Sequence, residues 1–187
     1  CENAWLYSID PIHPDNRYDE RLREDVHLPL VRAHYHRDVI HPAADYDPYR
    51  LLILPRMSIL PEEARGRLEE WVRAGGRLLL GPYTGVRTEE MTLWRGSEYG
   101  GLESLMGAEQ AMRFSPHWVE DTIEVDLENG PSCAPRIWCE AFDPAEGTEV
   151  PARYRGGYGD GLPAVVSNRV GEGRVVTVGT SLTPETF

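Results

Sequence analysis

The sequence predicts an α/β fold in which a mostly parallel sheet has helices on both faces and the C-terminal part is rich in strands. Residues 51–55 form a continuous apolar run, which is typical of a strand covered on both faces. Leu60-Pro61-Glu62-Glu63 opens the next segment with proline and two acids, and apolar side chains at helical spacing follow, which predicts a helix. Gly75-Gly76 ends this helix, and residues 77–81 form a second buried strand that ends in Gly81. A strand–helix–strand unit of this kind normally has parallel strands.

The region before this unit is predicted to hold a strand, a helix and a short second strand. Residues 4–9 read as a strand, and residues 19–36 carry apolar side chains near one helical face. Pro29 interrupts that helical pattern, so either the helix kinks there or a new helix begins. Residues 38–41 form the short candidate strand, which leads into a turn at Pro42.

The region after the unit begins with a long glycine-rich loop and then changes to strands. The loop extends to Gly101 and is too long for an ordinary connection, which indicates a functional or interface loop. A short helix follows at residues 102–106. Alternating apolar residues then predict strands, the last two joined as a hairpin by Gly171-Glu172-Gly173. These strands cover residues 122–127, 150–154, 164–170 and 174–178.

Composition narrows the classes of function. The 187 residues suffice for one domain over residues 1–187, and 31 acidic against 19 basic residues give a formal charge of −12. Such a chain repels phosphate backbones, so we expect no nucleic-acid partner. No apolar run approaches the roughly 18 residues needed to span a bilayer, so we expect no membrane partner. A cytoplasmic location is a separate expectation. Three cysteines without a C-x-x-C pair favour reduced thiols.

The turn after residues 77–80 has the glycine spacing of a nucleophile elbow. Gly81-Pro82-Tyr83-Thr84-Gly85 resembles the G-x-C-x-G pattern of class I glutamine amidotransferases, in which glycines permit a sharp turn that raises a cysteine toward substrate. Tyr83 stands at the cysteine position, and a phenol cannot act as a thiolate nucleophile. Near the C-terminus, Thr183 stands where those enzymes have a histidine base, although Glu185 remains. The fold expected from this pattern is flavodoxin-like or class I glutamine amidotransferase-like, without catalytic residues.

Other candidate sites are weaker. His34, His36 and His41 lack a nearby acid cluster, so we expect no metal and no cofactor. Tyr83, Trp94 and Tyr99 are aromatic residues of the elbow and the loop, and they are candidates for contact with another subunit or with a sugar. Three functions stay open on these residues alone. They are an assembly domain, a carbohydrate-binding module, and a divergent amidotransferase-like hydrolase that uses Cys133 or Cys139.

Several segments together resemble the central domain of family 42 glycoside hydrolases, the β-galactosidases. They include the family's L-x-x-L-x-G segment and its G-x-P-A-V-x-x-N-x-x-G-x-G hairpin. The matching segments are Val39–Asp45, Tyr49–Pro55, Leu68–Leu78, Thr84–Glu89, Leu102–Gly107 and Gly161–Gly179.

This resemblance implies a trimerisation domain with an amidotransferase-like fold. In that family the domain follows a catalytic (β/α)₈ barrel and packs three subunits into a ring. Both catalytic glutamates lie in the barrel, so no residue of this chain inherits a catalytic role. The partners that the resemblance implies are further copies of the chain, in a homotrimer, and the barrel of the same polypeptide.

Overall fold

A computed structural model of the protein describes residue 3 and residues 18–114, 123–128, 130–136 and 138–181. Within these ranges, eight strands form a six-stranded mixed sheet and a two-stranded antiparallel sheet. The strands are β1 (Leu51–Leu54), β2 (Arg77–Leu80), β3 (Ala108–Phe114), β4 (Glu124–Leu127), β5 (Cys139–Pro144), β6 (Glu149–Arg155), β7 (Pro163–Val170) and β8 (Gly173–Val178). The large sheet has the order β1-β2-β8-β7-β6-β4, and β3 pairs with β5.

From residue 18 onward, the helices of the described residues are few and mostly short. They are α1 (Tyr18–Arg21), a π-helical segment (Leu22–His27), α2 (Leu28–Arg32), α3 (Glu62–Arg73), α4 (Glu103–Met106) and a 3₁₀ turn (Gly157–Gly159). The protein is therefore a mixed α/β fold. Among the described residues, no helix has both the length and the apolar character needed to cross a bilayer.

The predicted strand–helix–strand unit is present as β1, α3 and β2. β1 and β2 are parallel and in direct register from Leu51 opposite Arg77 to Leu54 opposite Leu80. α3 ends at a glycine pair, where Gly76 N–H donates to the Trp71 carbonyl at 3.0 Å and Gly75 N–H to the Val72 carbonyl at 2.9 Å. Gly75 has φ +116°, which a side chain would oppose. The glycine pair therefore turns the chain directly from the helix into β2.

Two apolar clusters hold the sheet together, one on each face. Side chains of β1 and β2 that point to the α3 face are buried, as are the helix residues that meet them. The principal members of this cluster are Leu52, Leu54, Leu68, Val72, Leu78, Leu80 and Val175. On the opposite face, the second cluster lies mainly under β4 to β7. It contains Val125, Cys139, Ala141, Ala152, Tyr154, Val165 and Val178.

The predicted N-terminal helix is present but shorter and interrupted. It ends at Arg32 rather than at residue 36, and Tyr35 is exposed. Proline cannot donate a backbone hydrogen bond. The turn before Pro29 is π-helical, and Leu28 N–H bonds to the Arg23 carbonyl five residues back. The strand predicted for residues 4–9 lies outside the described residues.

The strand predicted for residues 38–41 is wrong. These residues have no ladder partner among the described strands, and the side chain of Val39 is 86% exposed. The turn predicted at Pro42 is present, since Ala44 N–H donates to the His41 carbonyl at 2.8 Å. The Tyr46 hydroxyl and Arg67 both donate to the Pro42 carbonyl. Residues 38–41 therefore do not extend the described sheet.

The C-terminal strands agree closely with the prediction, but the second sheet was not predicted. β7 and β8 form the hairpin, antiparallel from Val165 opposite Val178 to Val170 opposite Gly173. β8 also pairs in parallel with β2, which joins the hairpin to the strand–helix–strand unit. β3 and β5 have no counterpart among the predicted strands. β5 brings a buried acid to the end of β2, where the candidate site lies.

Candidate functional site at the turn after strand β2

The turn after β2 has the backbone geometry of an elbow. Tyr83 has φ +60° and Gly85 has φ +77°, so the backbone turns sharply at both residues. A non-glycine residue in this left-handed region costs about 1–3 kcal/mol and persists only when its surroundings hold it there. The Thr84 hydroxyl lies 2.8 Å from the Gly81 carbonyl and 3.1 Å from the Leu54 carbonyl. These contacts tie the elbow to the end of β1.

The chain does not enter a helix after the elbow. Gly85 N–H donates to the Met57 carbonyl and Arg87 N–H to the Ser58 carbonyl, both at 2.9 Å. The residues that follow form the long loop that continues to Gly101. A nucleophile elbow normally leads from a strand into a helix. The turn is therefore retained here without the helix that usually follows it.

A buried carboxylate occupies the position beneath the elbow. Glu140 on β5 is 1% exposed, and its Oε2 accepts a hydrogen bond from Tyr83 N–H at 2.8 Å. Its Oε1 accepts from Arg113 Nε on β3, also at 2.8 Å. Acyl transfer requires N–H donors aimed at a developing oxyanion. At this elbow the Tyr83 N–H already faces a negative charge, which would repel an oxyanion.

Aromatic rings surround the guanidinium of Arg113. It lies 5.0 Å from the centroid of the Tyr83 ring and 5.5 Å from that of the Tyr99 ring. The Tyr83 ring also packs against Trp138, with centroids 4.3 Å apart. Arg113 Nη1 reaches the Glu98 carboxylate at 3.3 Å. The elbow, the loop and the second sheet therefore meet at one cation.

Burial dominates the titration of this cluster. It raises the pKa of Glu140, while the charge of Arg113 and the Tyr83 N–H act in the opposite direction. Burial tends to lower the pKa of Arg113, but the adjacent Glu140 outweighs it, so that this pKa is raised. Burial, followed by the charge of Glu140, holds the pKa of the Tyr99 phenol well above its usual value. Tyr99 is therefore a neutral wall of the cluster.

The cysteines cannot take the place of the absent nucleophile. The side chains of Cys133 and Cys139 are both buried. Burial raises the pKa of Cys139 to about 12, whereas reactive cysteines have lowered values. His117, the histidine nearest Cys133 in sequence, lies outside the described residues, as do Thr183 and Glu185. The hydrolase alternative therefore gains no reactive thiol from the described part of the chain.

The three aromatic residues that the sequence groups together all lie near the elbow but differ in burial. Tyr83 is half-buried at the elbow. Tyr99 is only 2% exposed, so its ring is not on the surface of the isolated chain. Trp94 is half-buried: its indole N–H donates to the Gly85 carbonyl at 2.8 Å, and the Arg65 guanidinium lies 4.1 Å from its ring centroid. Trp94 and Tyr99 therefore fix the loop through contacts within the protein.

Glu103 is the main polar anchor of the same loop, and sequence reasoning did not single it out. Its Oε1 accepts from Ser97 Oγ at 2.6 Å and from the backbone N–H groups of Glu98 and Tyr99 at 2.9 and 3.0 Å. Its Oε2 accepts from Gly101 N–H at 2.9 Å. Burial tends to raise the pKa of Glu103, but these hydrogen bonds outweigh it, so that the pKa is lowered. The signal that could have identified Glu103 was the position of an acid in the first turn of a predicted short helix.

We expect Glu103→Gln to destabilise the chain by about 1–3 kcal/mol, because the amide nitrogen cannot accept the bonds that one carboxylate oxygen now accepts. Urea denaturation at pH 7 measures the change. A lowered pKa contributes stability above the unfolded value of 4.5, and this contribution is lost as pH falls through the folded pKa. The variant should therefore lack part of the acid sensitivity of the wild type. Glu90→Gln, on the exposed part of the same loop, is the control, and an equal loss there would contradict the assignment.

The described residues contain no group of three or more histidine, cysteine or acidic side chains that could hold a metal ion. His41 Nδ1 accepts a hydrogen bond from Ala43 N–H at 3.1 Å. His34 and His36 are exposed in the segment after α2. The three histidines therefore show no ligand arrangement.

A family model and the similar proteins of known sequence all point to β-galactosidases. The family model of the β-galactosidase trimerisation domain matches residues 1–187. β-Galactosidase Bga of Halorubrum lacusprofundi is 31% identical over 95% of this chain and 27% of its own length. β-Galactosidase BbgII of Bifidobacterium bifidum is 29% identical over 97% of this chain and 27% of its own length.

A solved structure shares the fold as well as the sequence. The polyextremophilic β-galactosidase from Halorubrum lacusprofundi superposes with a TM-score of 0.87 and is 30% identical, covering 98% of this chain and 27% of that one. The chain thus spans 27% of the length of each of these relatives.

Proposed function

Since the chain belongs to the β-galactosidase trimerisation domain family, we propose that it is a non-catalytic domain that holds the subunits of a larger glycoside hydrolase together. The observation that carries the non-catalytic part is the elbow. It has a tyrosine at the nucleophile position, and a buried carboxylate faces the Tyr83 N–H at 2.8 Å. Electrostatic stabilisation of an oxyanion is usually the largest single contribution to acyl transfer, and this arrangement opposes it.

The finer fold assignment is part of the same proposal. The chain is a flavodoxin-like or class I glutamine amidotransferase-like domain that retains the elbow and has lost the chemistry. Its support is the parallel arrangement of β1, β2 and β8 together with the left-handed Tyr83 between Gly81 and Gly85. Selection for assembly would keep such a turn because it links β1, β2 and the second sheet.

The activity of the whole protein is proposed from its relatives. We infer a β-galactosidase in which residues 1–187 form one domain and a separate (β/α)₈ barrel carries the catalytic glutamates. The partners of this domain are the barrel and further copies of the chain, in a homotrimer. Tyr83 and Trp94 remain candidates for subunit or sugar contact, whereas Tyr99 is too deeply buried in the isolated chain. The cytoplasmic location stays a prediction.

The experiment compares two forms of the larger glycoside hydrolase proposed above. One is the full-length protein, and the other is a variant from which this domain, residues 1–187, has been deleted. We expect sedimentation velocity to give a trimer for the full-length protein and smaller species for the deletion. Circular dichroism of the deletion variant should show that the remainder is folded. A full-length protein that stays monomeric up to micromolar concentrations would refute the proposal.

A further inference from the structure

The face of the large sheet opposite α3 carries a row of arginines beside an apolar strip. Residues that pair across a ladder point to the same face of a sheet. Arg77 on β2 pairs with Arg174 on β8, and Arg174 pairs with Arg169 on β7. In β1 and β2 this face also carries Leu51, Ile53 and Leu79. The basic strip is defined as Leu51, Ile53, Arg77, Leu79, Arg169 and Arg174.

The basic strip is much less covered than the other face of the same strands. Leu78 and Leu80, which point toward α3, are each 1% exposed, whereas Leu51 is 50% exposed. Ile53 and Leu79 are only partly buried, and Val26 of the π-helical segment packs in the same cluster. Parallel strands are normally covered on both faces. Part of this face is therefore available for another surface.

The charge of the basic strip is opposite to that of the whole chain. Arg174 pairs with Glu149 at 2.8 Å, and Arg169 reaches the same carboxylate at 3.9 Å. Among the described residues, Glu149 is the acid that the ion pairs place beside these arginines. The ion pairs of the described residues thus place one carboxylate beside the row of three arginines, in a protein with a formal charge of −12. A second copy of the same chain has the same excess of acidic residues, so its net charge complements this patch.

We propose that the basic strip is a self-association surface that binds an acidic surface of a second copy of this chain. The inference rests on the proposed assembly function and adds the place of contact. A closed ring of three uses head-to-tail contacts, in which two different patches of one chain meet. A partly exposed apolar centre bordered by arginines suits one of these patches, because arginine is enriched where interfaces bind most strongly.

The test is the full-length protein with the double charge reversal Arg77→Glu/Arg169→Glu. We expect its dissociation constant for self-association to rise at least tenfold in sedimentation velocity. Leu51→Ser, which keeps the charge, should also weaken association. Raising salt from about 0.05 to 0.5 M should weaken wild-type association, because screening shortens the reach of the arginine charges. The matched control is Arg37→Glu/Arg95→Glu, which makes the same charge change at two exposed residues elsewhere.

Each outcome decides the proposal. The proposal would be overturned if both strip variants associate as the wild type does and if salt does not change the association of the wild type. This result is expected if another part of the same polypeptide covers the basic strip. Equal dissociation by the control pair would also overturn it, since net charge or the loop around Arg95 would then be responsible. A monomeric wild type would instead refute the assembly function itself. Thermal unfolding of each variant separates lost contact from lost folding.

Discussion

Replacing Arg113 by methionine is expected to lower the free energy of unfolding by about 3–5 kcal/mol. The substitution removes the cation that lies 2.8 Å from a Glu140 carboxylate oxygen. Glu140 is only 1% exposed in the wild type, so it would be left buried without its charged partner. Methionine fills a similar volume beside the Tyr83 and Tyr99 rings, so the loss reports the uncompensated charge more than a cavity. Urea denaturation of the chain at pH 7, followed by circular dichroism, measures the change.

The matched control is Arg155→Met. Arg155 also contacts two carboxylates, Glu124 and Asp126, but its side chain is 59% exposed. Water screens such pairs, and their removal usually costs less than about 1 kcal/mol. Equal losses in the two variants would show that burial of Glu140 is not the source of the effect.

Acid should reduce the deficit of the Arg113 variant. Burial raises the pKa of Glu140 above 4.5, and Arg113 acts to lower it, so removing Arg113 should raise it further. A carboxyl with a raised folded pKa destabilises the fold when both states are ionised, and this penalty disappears below the unfolded value of 4.5. The difference in unfolding free energy between wild type and variant should therefore shrink as pH falls from 7 toward 4.5. A difference that stays constant over this range would contradict a buried charge.

The strand–helix–strand unit could be predicted because each of its signals is local. The apolar run of β1, the helical spacing in α3 and the glycine pair before β2 all lie within 30 consecutive residues, Leu51–Leu80. The β7–β8 hairpin has the same advantage, since its turn lies between its strands. These elements need no knowledge of distant partners, so periodicity was sufficient for them.

The second sheet could not be predicted in the same way. β3 contains alanine, glutamate and glutamine, which have weak strand preference, and its ladder shifts register between Gln110 and Met112. β5 contains two acids, Glu140 and Asp143, and ends in proline. Residues 38–41 show the opposite error, since this short candidate strand has no partner among the described strands. Strand formation in all three cases depends on tertiary pairing more than on composition.

For the same reason, only part of the candidate site could be predicted from the sequence. The glycine spacing of 81–85 identified the elbow, because a sharp turn has a local sequence signature. Glu140 lies 57 residues after Tyr83, and acids are almost never fully buried unless paired. Neither its burial nor the pairing with Arg113 has a local signal. The same limit applies to Tyr99, whose burial has no local signal, because only the tertiary position of the loop places its ring beside Arg113.

The second large effect is expected at Gly179, where β5 crosses the end of β8. The Gly179 carbonyl accepts from Glu140 N–H at 2.6 Å and from the Tyr154 hydroxyl at 2.9 Å, and its own N–H donates to the Ala164 carbonyl at 2.8 Å. A methyl group on Gly179 would overlap the Glu140 carbonyl oxygen and lie 3.0 Å from the Ala164 carbonyl oxygen. Backbone atoms cannot move aside as a flexible side chain can. β5 would therefore have to shift away from β8.

We expect Gly179→Ala to destabilise the chain by about 3 kcal/mol, at the upper end of the usual range for overpacking. The shift should also draw Glu140 away from Tyr83 and so break the hydrogen bond of the Tyr83 amide. Hydrogen exchange at this amide should therefore accelerate more than exchange at the amides of α3. The control is Gly66→Ala, since a methyl group there meets nothing within 4 Å and the position lies inside α3. It should raise stability by roughly 0.5–1 kcal/mol, because alanine favours helix relative to glycine. If Gly179→Ala were neutral, the close crossing of β5 and β8 could not be what places Glu140 beneath the elbow.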